Sequence, residues 1–346
     1  MKALTWHAPK DVRVEEVEPP RVVDPQDVVI RITTSAICGS DLHIYRGRIP
    51  GILPGTVIGH EYVGIVEDRG PAVRRFKKGD RVGGAFRTAC GACWYCRRRL
   101  YTHCENSMIF GYGLFFGNLQ GTQAEYARIP LADTTLFLVP PEVSDEQAVF
   151  VGDTLGTAFF AAEIGEIHPG DVVAVVGCGP VGLLTQMVAY AYGASRVVAV
   201  DRIPSRLAFA ERIGCIPVNV DREDPSAVVN RLTGGRGADV AIEAVGTEAA
   251  LALAIRLVRP GGVLAVIGVF AEETFPFPIR EAFLKGLTVR HGLANVHAHM
   301  EEALAMILHG RLDPSSLVTH TLPLAEAPHG YLLFDRGDAL KVILKT

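Results

Sequence analysis

Residues 90–104, "CGACWYCRRRLYTHC", hold four of the seven cysteines in a chain of 346 residues. Cys90, Cys93, Cys96 and Cys104 follow the spacing C-x2-C-x2-C-x7-C. Four thiolates close a tetrahedron around Zn2+ and leave no position for a substrate, so this lobe is expected to be a structural zinc site. Three other uses of the same residues weigh less. Disulfides belong to oxidising compartments. The ferredoxin iron–sulfur run places its fourth cysteine at a different spacing. A nucleic-acid ribbon would draw on Arg97, Arg98 and Arg99, yet the chain as a whole carries a net charge of −4.

A sparser set lies upstream. Cys38 sits in "AICGSDLH" with Ser40 and His43 close behind, and His60 and Glu61 follow in "GHEYVG". Taken singly each has a plain structural reading, since a lone His is more often a hydrogen-bonded core residue than a ligand. Together, a soft thiolate, an imidazole and carboxylates are what a Zn2+ site open to substrate requires. Cys178 and Cys215 are read as small apolar residues.

A third pattern is "VVAVVGCGPVG", which puts Gly177, Gly179 and Gly182 between an apolar strand and a helix, with Pro180 and Val181 inside the turn. The first glycine permits the turn, the second a close backbone approach to a pyrophosphate, the third tight helix–strand packing. Asp201 ends the next strand, "RVVAVD", 19 residues after Gly182. A carboxylate there accepts from ribose hydroxyls and repels a 2′-phosphate, so NAD is expected over NADP. The adjacent Arg202 opposes that preference, because a guanidinium binds a 2′-phosphate.

These residues need a scaffold. The first ~150 residues carry short β-branched runs separated by Gly and Pro, such as "DVVIRITTSAI" and "EYVGIVEDRG", and predict a β-rich region. From about Asp153, apolar strands alternate with helical segments, which predicts a parallel sheet covered on both faces. A helix around residues 300–308 and a final strand in "ALKVILKT" complete the pattern. At 346 residues the chain is long enough for two domains. No apolar run approaches the ~20 residues needed to span a bilayer, and the charged start "MKALTWHAPKDVRVEEVEPP" lacks a signal-peptide core. A cytoplasmic protein with no nucleic-acid or membrane partner is expected.

The Cys38 segment, "GHEYVGIVEDRGPAVRRFKKGDRV", the four-cysteine lobe and "GCGPVG" occur in one order along the whole chain, and together they resemble the zinc-dependent medium-chain alcohol dehydrogenases. The resemblance implies an α/β protein: a GroES-like β-rich catalytic domain (1–152 and 291–346, with the zinc lobe at 87–107) interrupted by a Rossmann NAD-binding domain (153–290). It implies two zinc ions per chain and NAD. Cys38 and His60 match catalytic zinc ligands, and Asp153 in "VGDTLGTAF" stands at the third ligand position. Asp153 also suits a helix N-cap. Glu61 matches a carboxylate near the metal, and Ser40 and His43 match a proton relay. Arg206 matches a contact to the adenosine ribose and Lys341 a basic position near the pyrophosphate. Val245 and Val269 complete the cofactor positions.

The implied reaction moves a hydride between a primary or secondary alcohol and NAD, giving an aldehyde or ketone. Polyol and threonine dehydrogenases are the alternatives within the family. The alternative of another class is a zinc-stabilised nucleotide- or nucleic-acid-binding module without catalysis. Such a module needs none of Cys38, Ser40, His43 and His60, all of which are present. "IFGYGLFFGN" and "GVFAEETFPFP" are apolar segments suited to a pocket wall or a subunit contact. A homotetramer, or a homodimer, is implied, with the edge strand after Gly286 as the seam.

Overall fold

The computed structural model describes residues 1–270 and 274–346, divided into two compact units, Met1–Gly156 with Asn295–Thr346, and Thr157–Ala294. Ala271, Glu272 and Glu273, inside "GVFAEETFPFP", lie outside the described residues. The divisions fall after Gly156 and before Asn295, each four residues beyond the expected positions. Asp153 therefore belongs to the same unit as Cys38 and His60. The helix Thr154–Gly165 contains the first division, so sequence texture changes ahead of the packing.

The first unit is built on the ten-residue strand Val28–Ile37. Its β-branched sequence suits a pleated, mostly buried surface, and only Arg31 along it is fully exposed. Antiparallel neighbours are Glu61–Arg69, Tyr126–Ile129 and Val342–Lys345. Beyond Glu61–Arg69 the sheet continues through Arg81–Gly84 to Leu136–Leu138, and beyond Val342–Lys345 to His320–Pro323. A separate three-stranded sheet joins Asp11–Glu16, Lys2–Ala8 and Thr56–Val57. Its core includes Leu4, Ile37, Ile44, Tyr331 and Leu344.

The second unit carries a six-stranded parallel sheet in the order Ile216–Asn219, Arg196–Asp201, Val172–Val176, Ala238–Glu243, Val258–Val266, Thr288–His291. Numbered within the unit, this is 3-2-1-4-5-6, and the order reverses between Val172–Val176 and Ala238–Glu243. Open sheets of this kind hold ligands at the carboxyl ends of the strands where the order reverses. The central strand, "VVAVV", is buried at every position, as a strand covered on both faces must be. The expected α/β architecture, with a GroES-like β-rich part and a doubly wound parallel sheet, is what the chain adopts.

Candidate functional site

Cys38 directly follows the strand Val28–Ile37, and His60 directly precedes its neighbour Glu61–Arg69. Ala36 pairs with Glu61 across that ladder, so the two ligands meet at one end of an antiparallel pair. Asp153 arrives by a close backbone approach. A Cβ on Gly152 would stand 1.7 Å from the Gly84 carbonyl oxygen, and the Phe86 N–H donates to the Gly152 carbonyl at 3.0 Å. Only glycine lets the chain pass there.

The donor atoms of Cys38, His60 and Asp153 all lie within 4.8 Å of one another. The Cys38 Sγ is 3.1 Å and the His60 Nε2 3.2 Å from Asp153 Oδ2. Metal–ligand bonds of about 2.0–2.3 Å set ligand separations of roughly 3.3–3.8 Å in a tetrahedron, so little movement is needed to admit zinc. All three side chains are buried, at 7%, 2% and 8% exposure. Burial, then the Asp153 and Glu61 charges, push the Cys38 thiol up to about 12. Burial opposes a charge on His60, but the Asp41 and Asp153 carboxylates outweigh it and hold the imidazole well above its ordinary value. Burial pushes Asp153 up, but His60 and Cys38 hold it below the usual range. A divalent cation replaces the two protons, leaving thiolate and neutral imidazole as ligands. The chemistry of this donor set, a thiol, an imidazole and a carboxylate, fits zinc with one coordination position left over.

Ser40 reaches this cluster. Its Oγ donates to Cys38 Sγ at 3.3 Å and stands 3.3 Å from His60 Nε2. His43 is half-buried on the short helix Asp41–Tyr45 that begins after Ser40. Phe86 and Tyr112 set their rings edge-on to His60, at centroid distances of 6.2 and 5.7 Å.

Asp41 was not singled out from sequence, yet it is completely buried behind the site. Its Oδ1 stands 3.0 Å from His60 Nδ1, and its Oδ2 accepts from the Cys38 N–H at 2.9 Å. Gln123, also fully buried, donates to Asp41 Oδ2 at 3.4 Å and accepts from the Tyr331 hydroxyl at 2.8 Å. A carboxylate on the far nitrogen of a ligating histidine fixes its tautomer and orientation.

Lys341 has a different partner from the one expected of it. Its ammonium is 1% exposed and donates to Glu61 Oε2, and also to Thr154 Oγ1 at 3.3 Å. Thr154 in turn donates to Glu61 Oε1. Burial acts against the charge on Lys341 and that on Glu61, and each charge supports the other. An ammonium this deeply buried needs a counter-charge at hand, and here Lys341 holds Glu61 beside the ligand cluster.

The four lobe cysteines also bring their sulfur atoms within 4.8 Å of one another, and all are free thiols. Backbone N–H groups point at the sulfurs: Cys90 N to Cys104 at 3.2 Å, Cys93 N to Cys90 at 3.4 Å, Asn106 N to Cys104 at 3.4 Å. Burial opposes ionisation of Cys90, but the backbone N–H groups of Ala92 and Cys93, with the Asn106 side chain, outweigh it and bring the thiol to about 6. Cys96 and Cys104 are pushed up, first by burial. Cys93 is lowered too, by the backbone N–H groups of Cys96 and Glu105, and four sulfurs leave a bound cation no open position.

In the second unit the glycine turn behaves as its spacing predicts. Gly177 has φ of 103°, a Cβ on Gly182 would stand 2.0 Å from the Gly177 carbonyl oxygen, and a Cβ on Gly179 would meet nothing within 4 Å. The helix Pro180–Ala191 starts without a side-chain cap, leaving its first N–H groups for an anion. Asp201 accepts from the N–H of Cys178, Arg202 and Ile203 at 2.7–2.9 Å, which aims its carboxylate at the turn while lone pairs remain for ribose hydroxyls. Arg202 is exposed and Arg206 half-buried. Val245 and Val269 follow strand ends beside the turn and leave 48% and 47% of their surface exposed, as an apolar contact for a planar ring would. Glu243, also unanticipated, is fully buried and accepts from the N–H of Val245 and Gly246 at 2.8 Å, fixing the loop that carries Val245. These features fit a dinucleotide.

Two families match the chain: the alcohol dehydrogenase GroES-like domain over residues 24–141 and the zinc-binding dehydrogenases over residues 180–309. The uncharacterized zinc-type alcohol dehydrogenase-like protein AdhB of Bacillus subtilis is 38% identical, with both chains covered in full. Among solved structures, the alcohol dehydrogenase TADH from Thermus sp. ATN1 superposes with a TM-score of 0.96 at 48% identity, covering 100% of this chain and 99% of that one. The 2R,3R-butanediol dehydrogenase of Bacillus subtilis superposes at 0.87 with 28% identity, covering 100% and 99%. Among the described residues, no helix is long and apolar enough to cross a membrane.

Proposed function

The chain belongs to the zinc-dependent medium-chain alcohol dehydrogenases, and from that premise we propose that it oxidises a primary or secondary alcohol to the aldehyde or ketone with NAD as hydride acceptor. The observation that carries this reading is the meeting of Cys38, His60 and Asp153, one donor atom each, with Ser40 against two of them.

Cys38, His60 and Asp153 hold the catalytic zinc, and Cys90, Cys93, Cys96 and Cys104 a structural one. Bound zinc makes a coordinated hydroxyl far more acidic, as zinc water falls to a pKa of about 7–9 from ~15.7 in bulk. Asp41 keeps Nε2 of His60 directed at the centre. Ser40 accepts the alcohol proton and passes it towards His43, whose ordinary pKa near neutrality suits release to solvent. Phe86 and Tyr112 exclude water from the side of His60 and present rings to an apolar substrate chain. Glu61, held by Lys341 and Thr154, keeps a negative charge near the ligands.

Gly177, Gly179, Pro180, Val181 and Gly182 seat the pyrophosphate, and Asp201 takes the adenosine ribose with Arg202 and Arg206 alongside. Val245 and Val269 flank the nicotinamide side. Asp201 favours NAD over NADP. The enzyme is a cytoplasmic homotetramer built from dimers that join along the edge strand Thr288–His291. Beside that strand the helix Ile279–Lys285 exposes Ile279, Phe283 and Leu284 at 69%, 79% and 71%. Light scattering that finds a monomer would remove the seam.

The test is a screen of NAD+ reduction over alcohols, diols and polyols, on protein whose zinc content has been measured. Turnover with simple alcohols and two zinc ions per chain is expected. No turnover with any of them would return the chain to the binding-module reading, and a higher kcat/KM with NADP would overturn the cofactor assignment.

A further inference from the structure

Arg87 is 8% exposed. Its guanidinium does not lose its charge in a protein, and a buried cation without a counter-charge is strongly unfavourable. Among the described residues no carboxylate stands within ion-pair distance of it. Its Nε donates to Ser107 Oγ at 2.9 Å, and that hydroxyl donates onward to the Thr88 carbonyl at 2.9 Å. The Ser107 N–H donates to the Cys104 carbonyl at 3.1 Å. The guanidinium is thereby tied to the chain just past the last cysteine of the lobe. The Arg87 charge also reaches His297, whose ring nitrogens are buried with no hydrogen-bond partner. Burial, then the Arg87 charge, push this imidazole down to about 3, so it stays neutral and supplies no anion. Burial lowers the Arg87 pKa as well, and the charge of Cys104 offsets part of that.

The missing counter-charge is close by. Four thiolates around one divalent cation carry two net negative charges, and the backbone N–H groups aimed at the sulfurs do not cancel them. We propose that Arg87 is the counter-charge of the zinc–tetrathiolate cluster, a positioning residue that holds its positive charge beside Cys104 and protects the sulfurs from electrophiles. This rests on the lobe holding zinc. Neutralising part of the excess charge makes the sulfurs poorer nucleophiles and keeps the metal from being lost with them.

The test is alkylation of the holoenzyme by iodoacetamide, followed by peptide mass spectrometry over residues 90–104. Each event forms an S–C bond and breaks the C–I bond; iodide leaves, the alkylated sulfur no longer holds the metal, and a colorimetric chelator captures the zinc released. Arg87→Gln and Arg87→Met should each label the lobe about tenfold faster than wild type, the size expected for loss of a hydrogen-bonded charge, and Arg87→Lys should stay within about twofold. Ser107→Ala, a mild change, should accelerate labelling about threefold by loosening the tie. Labelling of Cys38 serves as the control and should not move. Unchanged lobe labelling in the Gln, Met and Ser107→Ala variants overturns the proposal. So does a Lys variant as fast as Gln, because charge would then not be the cause. A wild-type lobe without zinc, found by metal analysis before alkylation, would instead defeat the zinc reading on which the proposal stands.

Discussion

The two candidate metal sites bring their donor atoms together by different means. The lobe takes all four ligands from residues 90–104, and its sulfurs are supported by backbone N–H groups of the same stretch. The other site takes three ligands from positions up to 115 apart, and its support is a chain of buried side chains, Asp41, Gln123 and Tyr331. A closed site needs only the right loop. An open site must keep its ligands rigid while one face accepts and releases substrate, and that rigidity has to come from the fold. The contrast therefore predicts which changes stop chemistry and which loosen structure.

The largest effect should follow Cys38→Ala. Removing that thiolate should cut kcat about a thousandfold or more, since Lewis-acid stabilisation amounts to several kcal/mol. Zinc content should fall from two to one per chain, with the lobe still loaded. A variant that keeps wild-type turnover would mean that the lobe, after all, is where the reaction happens. Asp41→Asn should come next, with a loss of about 10–100-fold in metal affinity or turnover. It should leave lobe zinc unchanged, and titration with a chelator of graded strength would separate the two ions.

Cys104→Ser should invert this pattern. Initial turnover per folded molecule should stay within about threefold, while the apparent Tm drops by several degrees, because a structural metal contributes directly to folding. Equal loss of kcat and Tm would erase the distinction between the sites.

Protons sharpen the comparison further. In the metal-free buried site the Cys38 thiol sits at about 12, and His60 is raised well above 6.5, so both carry protons at neutral pH. Zinc has to displace both protons, so its affinity should fall as pH is lowered. Cys90 is already near 6, so the lobe should release fewer protons per bound sulfur. Calorimetry in two buffers of different ionisation enthalpy, with the His60 proton counted separately, measures those protons, and equal counts per bound sulfur would contradict the assignment. Among the changes aimed at the chemistry itself, the smallest effect expected is that of His43→Ala, about tenfold in kcat and confined to the acid side of the pH profile. An unchanged profile would remove His43 from the relay.

What could be read in the sequence tracks the distance over which the information is written. The lobe, the glycine turn and Asp201 are patterns of local spacing whose meaning is fixed by nearby backbone, and their geometry follows the reading. Asp41 was passed over because an acidic residue between Ser40 and Leu42 has no distinguishing spacing. Its importance comes from His60, 19 positions on, folding back over it. Gln123, in a small and polar stretch, and Glu243, at the end of an apolar run, escape notice for the same reason, since their partners are set only by packing. Lys341 is placed near the pyrophosphate only by the family resemblance, which says nothing of its neighbours in this chain. Its burial, with Glu61 as its partner across 280 positions, is a product of the tertiary fold alone. An acid at the end of a predicted apolar strand is the signal that could have pointed to Glu243.

The strand Val342–Lys345 closes the first unit by pairing with the end of Val28–Ile37, immediately after Lys341 has met Glu61. On a ribosome working at roughly 5–20 residues per second, this pairing is among the last to form. The lobe can close on zinc as soon as Cys104 is free of the exit tunnel, whereas Glu61 waits without its ammonium until the whole intervening unit, Thr157–Ala294, has been made. Newly made chains should therefore pass through a stage with one metal in place and an open sheet edge at residues 34–37, the stage at which a chaperone or a stray strand would find them.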